Sequence, residues 1–187
     1  MSKVRNGINR ENNVVIQNIQ IKVIRKKTKK MMSVKKKKPS MKIILAIDGS
    51  KHSKATVEEV ASRPYPPNTF VRIVSAYESN PLTMRMEPMG ALREYHAEIE
   101  RNALKAAEQA TKYAVKILRK KNPMFTITTI AVDGSPKSVI LKEAEAFNAD
   151  LIIVGSHGYG TVERFLLGSV SHAVSLHAKC SVEIVRK

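Results

Sequence analysis

Apolar and polar positions change their spacing in a regular order along this chain from residue 41 onward. Short runs typical of strands occur at residues 43–47, 70–76, 124–132, 151–154 and 181–185. Segments with the apolar spacing and end signals of helices lie between them, at residues 53–61, 91–120, 138–146 and 168–177. This alternation predicts an α/β fold with a mainly parallel sheet, right-handed crossovers and helices on both faces.

The segments between these elements have the composition of loops and turns. Residues 80–90, rich in Pro and Met, are expected to form a loop before the longest helix. Polar turns at residues 48–50, 133–136 and 155–158 each follow a predicted strand. In an open parallel sheet the carboxyl ends of the strands meet at one edge, so these turns are expected to converge on one crevice. Taken alone, each turn is more typical of ordinary structure than of a site.

The turn after the fourth predicted strand carries the strongest chemical signal. It reads Gly-Ser-His-Gly at 155–158, and Gly168-Ser169 follows after nine further residues. Glycines let the backbone approach an anion closely, and the N–H groups and dipole at a helix start attract negative charge. A lone Gly-x-x-Gly would favour a tight structural turn, whereas the longer spacing favours a phosphate site.

Positive charge is concentrated at the start of the chain. Residues 1–40 contain 13 Lys and Arg against the single acid Glu11, whereas residues 41–187 contain 20 against 15. Most of the net charge of +17 therefore lies in the first 40 residues. Because so basic a block cannot bury itself, we expect residues 1–40 to be a disordered extension and residues 41–187 to form the folded domain.

Two other interpretations of the basic segment stay open. Met41 opens the first predicted strand directly, which is compatible with translation starting there. Lysine runs such as residues 35–38 also attach proteins to nucleic acid or anionic membranes through counterion release and electrostatic attraction. No aromatic residue lies among these lysines to stack on bases, so specific nucleic-acid binding is disfavoured.

Several features favour a cytoplasmic protein. The apolar residues between 14 and 24 are too few and too interrupted for a transmembrane segment. The polar start of the chain is not followed by the uncharged core and small-residue cleavage site of a secretory signal. Cys180 is the single cysteine in the sequence, which excludes an intrachain disulfide.

Other nucleotide-binding and catalytic patterns do not fit this sequence. It contains no Gly-x-x-x-x-Gly-Lys-Ser/Thr P-loop and no three-glycine dinucleotide fingerprint. Ser156 is not in a Gly-x-Ser-x-Gly elbow, and no acid is placed in the sequence to orient His157. His172 and His177 are five residues apart, and His52 has no partner at ligand spacing. We therefore predict neither a catalytic residue nor a metal-binding residue.

Taken together, the motifs resemble the universal stress protein family. The resemblance rests on residues 44–50, the Gly-Ser-Pro turn at 134–136, and residues 154–158 with 167–170, and it spans essentially all of residues 41–187. It implies an open five-stranded parallel sheet of order 3-2-1-4-5, Rossmann-like and similar to the adenine nucleotide alpha hydrolases. It also implies a homodimer through the last strands. The Gly-x-x-Gly-x(9)-Gly-Ser spacing marks the ATP-binding branch of that family.

The resemblance assigns the phosphate-binding residues position by position. Gly155, Gly158, Gly168 and Ser169 match the family's phosphate cradle. Asp48, at the end of the first strand, matches the family's acidic residue near the adenosine and metal-phosphate region. A serine at a helix start can cap the helix, and the same donors can face a phosphate, which agrees with the role of Ser169.

The remaining positions implied by the resemblance lie at the nucleoside side or beside the glycines. Ala76 falls at the end of the second strand, where the family's backbone contacts adenine, and Gly134 is expected on the ribose side. His157 is expected to be a residue of the pocket. Tyr159 follows the second glycine, where the family often has Arg or Lys, so one positive charge near the phosphates is missing.

We therefore expect an ATP-binding universal stress protein that uses ATP with Mg²⁺ and contacts a partner protein in a nucleotide-dependent way. An enzymatic alternative is slow ATP hydrolysis or phosphotransfer, for which the sequence offers no identifiable base. A third hypothesis is attachment of the basic segment to nucleic acid or an anionic surface. The sequence names neither the partner nor the stress.

The third hypothesis predicts binding to anionic vesicles or DNA that weakens steeply as salt rises, because each neutralised charge releases a counterion. A chain starting at Met41 should lose this binding. Salt-series titrations of both chains measure the effect, and equal binding by the two chains would reject a role for residues 1–40.

Overall fold

The computed structural model describes residues 40–79, 90–158 and 167–186. Its strands are β1 (Lys42–Ala46), β2 (Phe70–Tyr77), β3 (Thr126–Asp133), β4 (Leu151–Gly155) and β5 (Ser181–Val185). Its helices are α1 (Lys51–Ser62), α2 (Gly90–Lys121), α3 (Pro136–Phe147) and α4 (Ser169–His177). The predicted loop at 80–90, except Gly90, and the predicted extension at 1–40, except Ser40, lie outside the described residues.

All five strands form one parallel sheet in the order β3-β2-β1-β4-β5. The order, the strand directions and the helical crossovers confirm the predicted fold class. In the centre of the sheet, Ile43 of β1 is in register with Val71 of β2 and Leu151 of β4. β1 and β4 are nearly continuous apolar runs because helices cover both of their faces.

Alternate residues of β1 contribute to two separate cores, as the two-residue period of a strand requires. Ile43 and Leu45 pack on the side of α1 and α2, whereas Ile44 and Ala46 pack on the side of α3 and α4. The helices supply matching apolar residues, which on the first side include Val57, Val60 and Leu118, and on the second Val139, Ile140 and Val174. The central strands are therefore packed on both faces.

The helix starts follow from local capping chemistry. Ser50 caps α1, and its hydroxyl accepts a hydrogen bond of 3.2 Å from the Ser53 amide. Pro136 occupies the start of α3, where its missing N–H costs nothing, and Asn148 ends that helix in the left-handed conformation, with φ 50°. Both α1 and α3 therefore begin within a few residues of the carboxyl end of the preceding strand.

A cluster of charged and aromatic side chains ties the end of α3 to the sheet. Arg72 of β2 forms an ion pair of 3.0 Å with Glu143, and its guanidinium lies 4.2 Å from the ring centroid of Phe147. The Lys42 ammonium donates to the Phe147 carbonyl at 3.2 Å, and the Lys42 amide donates to the Asp150 carboxylate at 2.7 Å. Position along the chain alone does not reveal these contacts.

The predicted third strand starts two residues too early. Met124 and Phe125 precede β3, and the Phe125 amide donates to the Asn122 carbonyl in a turn after α2. Met124 is largely exposed. Its apolar side chain continues the alternation that predicts a strand, although the residue lies before the sheet begins.

Within the three described stretches of the chain, we find no helix with the length and apolarity needed to cross a membrane.

Replacement of Leu118 by alanine tests the first core. Leu118 is completely buried between α2 and the sheet, so Leu118→Ala should lower the free energy of unfolding by about 2–5 kcal/mol. Ile99 lies on the same helix and is 42% exposed, so Ile99→Ala is the matched control and should cost less than about 1 kcal/mol. Urea denaturation measures both, and equal losses would contradict the described packing.

Candidate functional site

A cleft of about 300 Å³ lies where the strand order reverses between β1 and β4. Seven of the eight residues predicted from the sequence line it: Asp48, Ala76, Gly155, His157, Gly158, Gly168 and Ser169. They come from the ends of three strands, the segment after β4 and the start of α4. The structure therefore brings together residues up to 121 positions apart in the sequence, between Asp48 and Ser169.

One half of the cleft is apolar. Its lining side chains come from β2, α3 and the end of β1 with the residue that follows it, and they include Ile47, Val74, Ala76, Pro136 and Ile140. Apart from Ala76, sequence reasoning missed these residues because each has the pattern of an ordinary core or helix-start position. The Ile47 amide donates to the Val74 carbonyl at 2.9 Å, which extends the pairing of β1 and β2 to the floor of the cleft.

The other half, from the segments after β1 and β4 and the start of α4, is formed by glycines and polar side chains, together with Val154 and Val170. Gly158 lies directly against Asp48, since a Cβ atom added at Gly158 would be 2.7 Å from Asp48 Oδ2. Asp48 is itself positioned by the turn after β1, where its Oδ1 accepts a hydrogen bond of 2.9 Å from the Ser50 amide. Glycine at position 158 is therefore needed for the close approach of the segments that follow β1 and β4.

Gly168 permits a second close approach. Its amide donates to the Ser156 carbonyl at 2.8 Å, and a Cβ atom at this position would lie only 3.1 Å from the same carbonyl oxygen. Gly168 is also the N-cap residue of α4 and makes no side-chain cap hydrogen bond. The N-cap residue therefore offers no side-chain acceptor to the amide groups in the first turn of α4. This turn lines the cleft.

Gly155 joins the site to α1. A Cβ atom at Gly155 would lie 3.2 Å from the hydroxyl oxygen of Thr56, a completely buried side chain. The Thr56 hydroxyl donates to the His52 carbonyl at 2.9 Å. The small residue at 155 thus lets the first turns of α1 pack closely on the end of β4.

Two histidines from distant parts of the sequence meet beside the glycines. The ring centroids of His52 and His157 are 5.4 Å apart, and His157 Nδ1 lies 3.1 Å from the Ser156 hydroxyl oxygen. Sequence spacing predicted no partner for His52, because 105 residues separate it from His157. Among the residues that the structure describes, no group of three His, Cys, Asp or Glu is arranged to hold a metal ion.

Gly134 is the predicted residue that does not line the cleft. It has φ of 136°, and its amide donates to the Tyr77 carbonyl at 2.8 Å, which extends the pairing of β2 and β3 into the turn before α3. Pro136 and Ile140, which follow it, line the cleft instead. Gly134 therefore sets the start of α3, and its expected position on the ribose side stays a prediction.

The described lining of the cleft has little formal charge. Asp48 is the single carboxylate among these lining residues, and no Lys or Arg accompanies it there. Backbone amides, the hydroxyls of Ser53, Ser169 and Ser171, and His157 supply the polar groups. Tyr159, whose identity predicted a missing positive charge, lies outside the described residues. Such a site suits a ligand with an apolar body and an anionic group held by backbone donors.

The fold defines a Rossmann-like domain with a candidate ligand cleft, and comparison with known proteins identifies its family. Residues 40–186 match the model of the universal stress protein family. A Staphylococcus aureus (strain USA300) protein named among the universal stress proteins is 54% identical over 54 residues, or 28% of this chain and 32% of the relative. That match spans about a third of the relative's length. On the family match, the chain belongs to the universal stress protein family.

Solved structures share the fold. The universal stress protein UspA from Lactobacillus plantarum aligns with a TM-score of 0.64 at 21% identity, covering 78% of this chain and 97% of that one. A universal stress protein family protein from Arabidopsis thaliana, solved with AMP bound, aligns with a TM-score of 0.56 at 18% identity, covering 79% and 92%. At these identities the likeness concerns the architecture alone.

The turn beside the cleft contains a carboxylate whose pKa the structure lowers. The Ser79 hydroxyl and amide both donate to Asp133, at 2.5 and 2.8 Å, and these bonds favour the ionised carboxylate. A lowered pKa means that this contact stabilises the fold above pH about 4 and that the contribution is lost as the solution becomes more acidic.

Ser79→Ala should therefore raise the pKa of Asp133 towards the ordinary value of about 3.9, because the hydroxyl donor is the largest cause of the shift. NMR titration of the side-chain carboxyl carbons measures this directly. Ser62→Ala, which removes an exposed hydroxyl that donates to the Glu59 carbonyl at 2.9 Å, is the matched control and should leave the pKa of Asp133 where the wild type has it. An unchanged Asp133 titration would contradict the contact.

Proposed function

We propose that this chain is an ATP-binding universal stress protein that acts as a nucleotide-dependent regulatory module. The observation that carries the proposal is a division among the elements that line one cleft, since aliphatic side chains come mainly from the β1, β2 and α3 side and the glycines from the segment after β4 and the start of α4. An adenine nucleotide has the same division, with an apolar planar base at one end and phosphates at the other.

The glycine half suits the phosphates. Gly158 and Gly168 let the segments around the cleft approach one another closely, and the first turn of α4 adds its amides and the positive end of its dipole. Ser169 contributes a hydroxyl at the same place. Backbone donors of this kind bind an anion without Lys or Arg, which agrees with the low formal charge of the described lining.

The apolar half suits the base. Ile47, Val74 and Ile140 present aliphatic side chains, and Ala76, at the carboxyl end of β2, is small enough to leave its backbone approachable. The cleft volume of about 300 Å³ is at the lower end of the range for small-molecule sites. We assign adenine to this half and the ribose to the region between Asp48 and the α3 start.

Similarity to known proteins supports an adenine nucleotide as the ligand class. The Arabidopsis thaliana protein was solved with AMP bound, and its TM-score to this chain exceeds 0.5. We extend this to ATP because the Gly-x-x-Gly-x(9)-Gly-Ser spacing is present in full. We also propose Mg²⁺ as the counterion of the triphosphate, since Mg²⁺ commonly binds through substrate phosphates.

The proposed output of nucleotide binding is a contact with another protein in the cytoplasm. β5 lies at one edge of the described sheet and pairs with β4 on one side only. A sheet edge offers unpaired backbone groups to a second strand, so we propose a homodimer through β5. Partner contact would then depend on how ATP positions the segments around the cleft.

Equilibrium titration tests ATP binding. Wild-type chain should bind ATP with Mg²⁺ saturably, and Gly158→Val combined with Gly168→Val should weaken it by at least about tenfold. The physical reason is steric, because even a Cβ atom meets Asp48 Oδ2 at 2.7 Å and the Ser156 carbonyl at 3.1 Å. Isothermal titration calorimetry gives both affinities.

Ala106→Val, on an exposed position of α2, is the matched control and should bind like wild type. Circular dichroism of each variant establishes that it folds. Mass spectrometry of the supernatant released by heating the purified chain gives a second readout, in which adenine nucleotide is expected. No saturable binding by wild type, or unchanged binding by the double variant, would overturn the proposal.

A further inference from the structure

Ser171 is a buried hydroxyl that the glycine motif does not include. It is the third residue of α4, it is 2% exposed, and it lines the cleft beside Gly168. Serine at this place in a helix commonly bonds within its own helix turn. In this chain the hydroxyl also reaches a different segment.

The Ser171 hydroxyl lies within hydrogen-bond distance of two carbonyls. Its oxygen is 3.0 Å from the Ser156 carbonyl oxygen, 15 residues away in sequence, and 2.9 Å from the Gly168 carbonyl oxygen. The Gly168 amide donates to the same Ser156 carbonyl at 2.8 Å. The hydroxyl has a single proton, which the two carbonyls share. A carbonyl oxygen has two lone pairs, so the Ser156 carbonyl can accept this proton as well as the Gly168 amide and join the two glycine segments.

Ser156, which accepts these hydrogen bonds, is itself held by the sheet. It is 1% exposed, and its amide donates to the carbonyl of Val185, at the end of β5, at 2.8 Å. The position of Ser156 is therefore determined by the sheet. Through Ser171 and Gly168, the start of α4 is held at a constant place relative to that sheet.

We propose that Ser171 is a positioning residue for the phosphate subsite, an inference that rests on the proposed ATP binding. Its hydroxyl holds the start of α4 against the segment after β4, so that the amides of both segments converge before a phosphate arrives. Donors arranged in advance bind more tightly, because ordering them costs nothing at the moment of binding. The apolar half of the cleft does not depend on this bond.

The experiment compares ATP with adenosine, which lacks phosphates, in calorimetric titrations of the full chain. Ser171→Ala should weaken ATP binding by about three- to tenfold, which corresponds to one hydrogen bond, and leave adenosine within about twofold. Ser171→Thr retains the hydroxyl and should restore ATP affinity. Ser175→Ala is the matched control, because the exposed Ser175 hydroxyl bonds only locally, to the His172 carbonyl at 2.7 Å, among the described contacts.

The outcomes separate this inference from the function on which it rests. Absence of ATP binding by wild type would overturn both. If wild type binds ATP, equal affinities of Ser171→Ala and Ser175→Ala would overturn the positioning role alone. A parallel loss of ATP and adenosine affinity in Ser171→Ala would also overturn it, since the residue would then support the cleft as a whole. Failure of Ser171→Thr to restore ATP affinity would contradict the role of the hydroxyl.

Discussion

Burial of β1 and β4 on both faces is the constraint on which the rest of the structure depends. Two apolar strands that pair in parallel leave their carboxyl ends at the same edge, and each following segment must turn towards a helix. The chain leaves β1 for α1 on one face of the sheet and leaves β4 for α4 on the other. The opening between these exits is the cleft, so the packing of the core determines where a ligand can bind.

The glycine half of this cleft is built from closely spaced backbone segments, so residues without a side chain are needed where these segments meet. At Gly158 and Gly168 the space that a Cβ atom would need is occupied by a carboxylate and by a carbonyl, respectively. The segments can therefore approach one another closely, and residues of both line the cleft. Hydrogen bonds of the Ser156 carbonyl then connect that volume to the edge of the sheet.

Membership of the universal stress protein family agrees with this arrangement, and it assigns the architecture to a known class. Family membership alone does not specify what the cleft binds, because function depends on the residues of the site. For this chain the relevant features are the low formal charge of the described lining and the complete glycine spacing. The glycine spacing is the basis for the proposed recognition of phosphate, and the described lining leaves that recognition to backbone and hydroxyl donors.

The sequence by itself determined the order of strands and helices and the position of the glycine turn, because these depend on local periodicity and turn chemistry. Through its motifs it also named seven residues that line the cleft. The tertiary structure alone decided that Gly158 meets Asp48, that His52 lies beside His157, and that Ser171 reaches Ser156. It also placed Gly134 at the start of α3, outside the cleft lining. These contacts depend on how the packed strands align distant segments, and spacing along the chain does not encode that alignment.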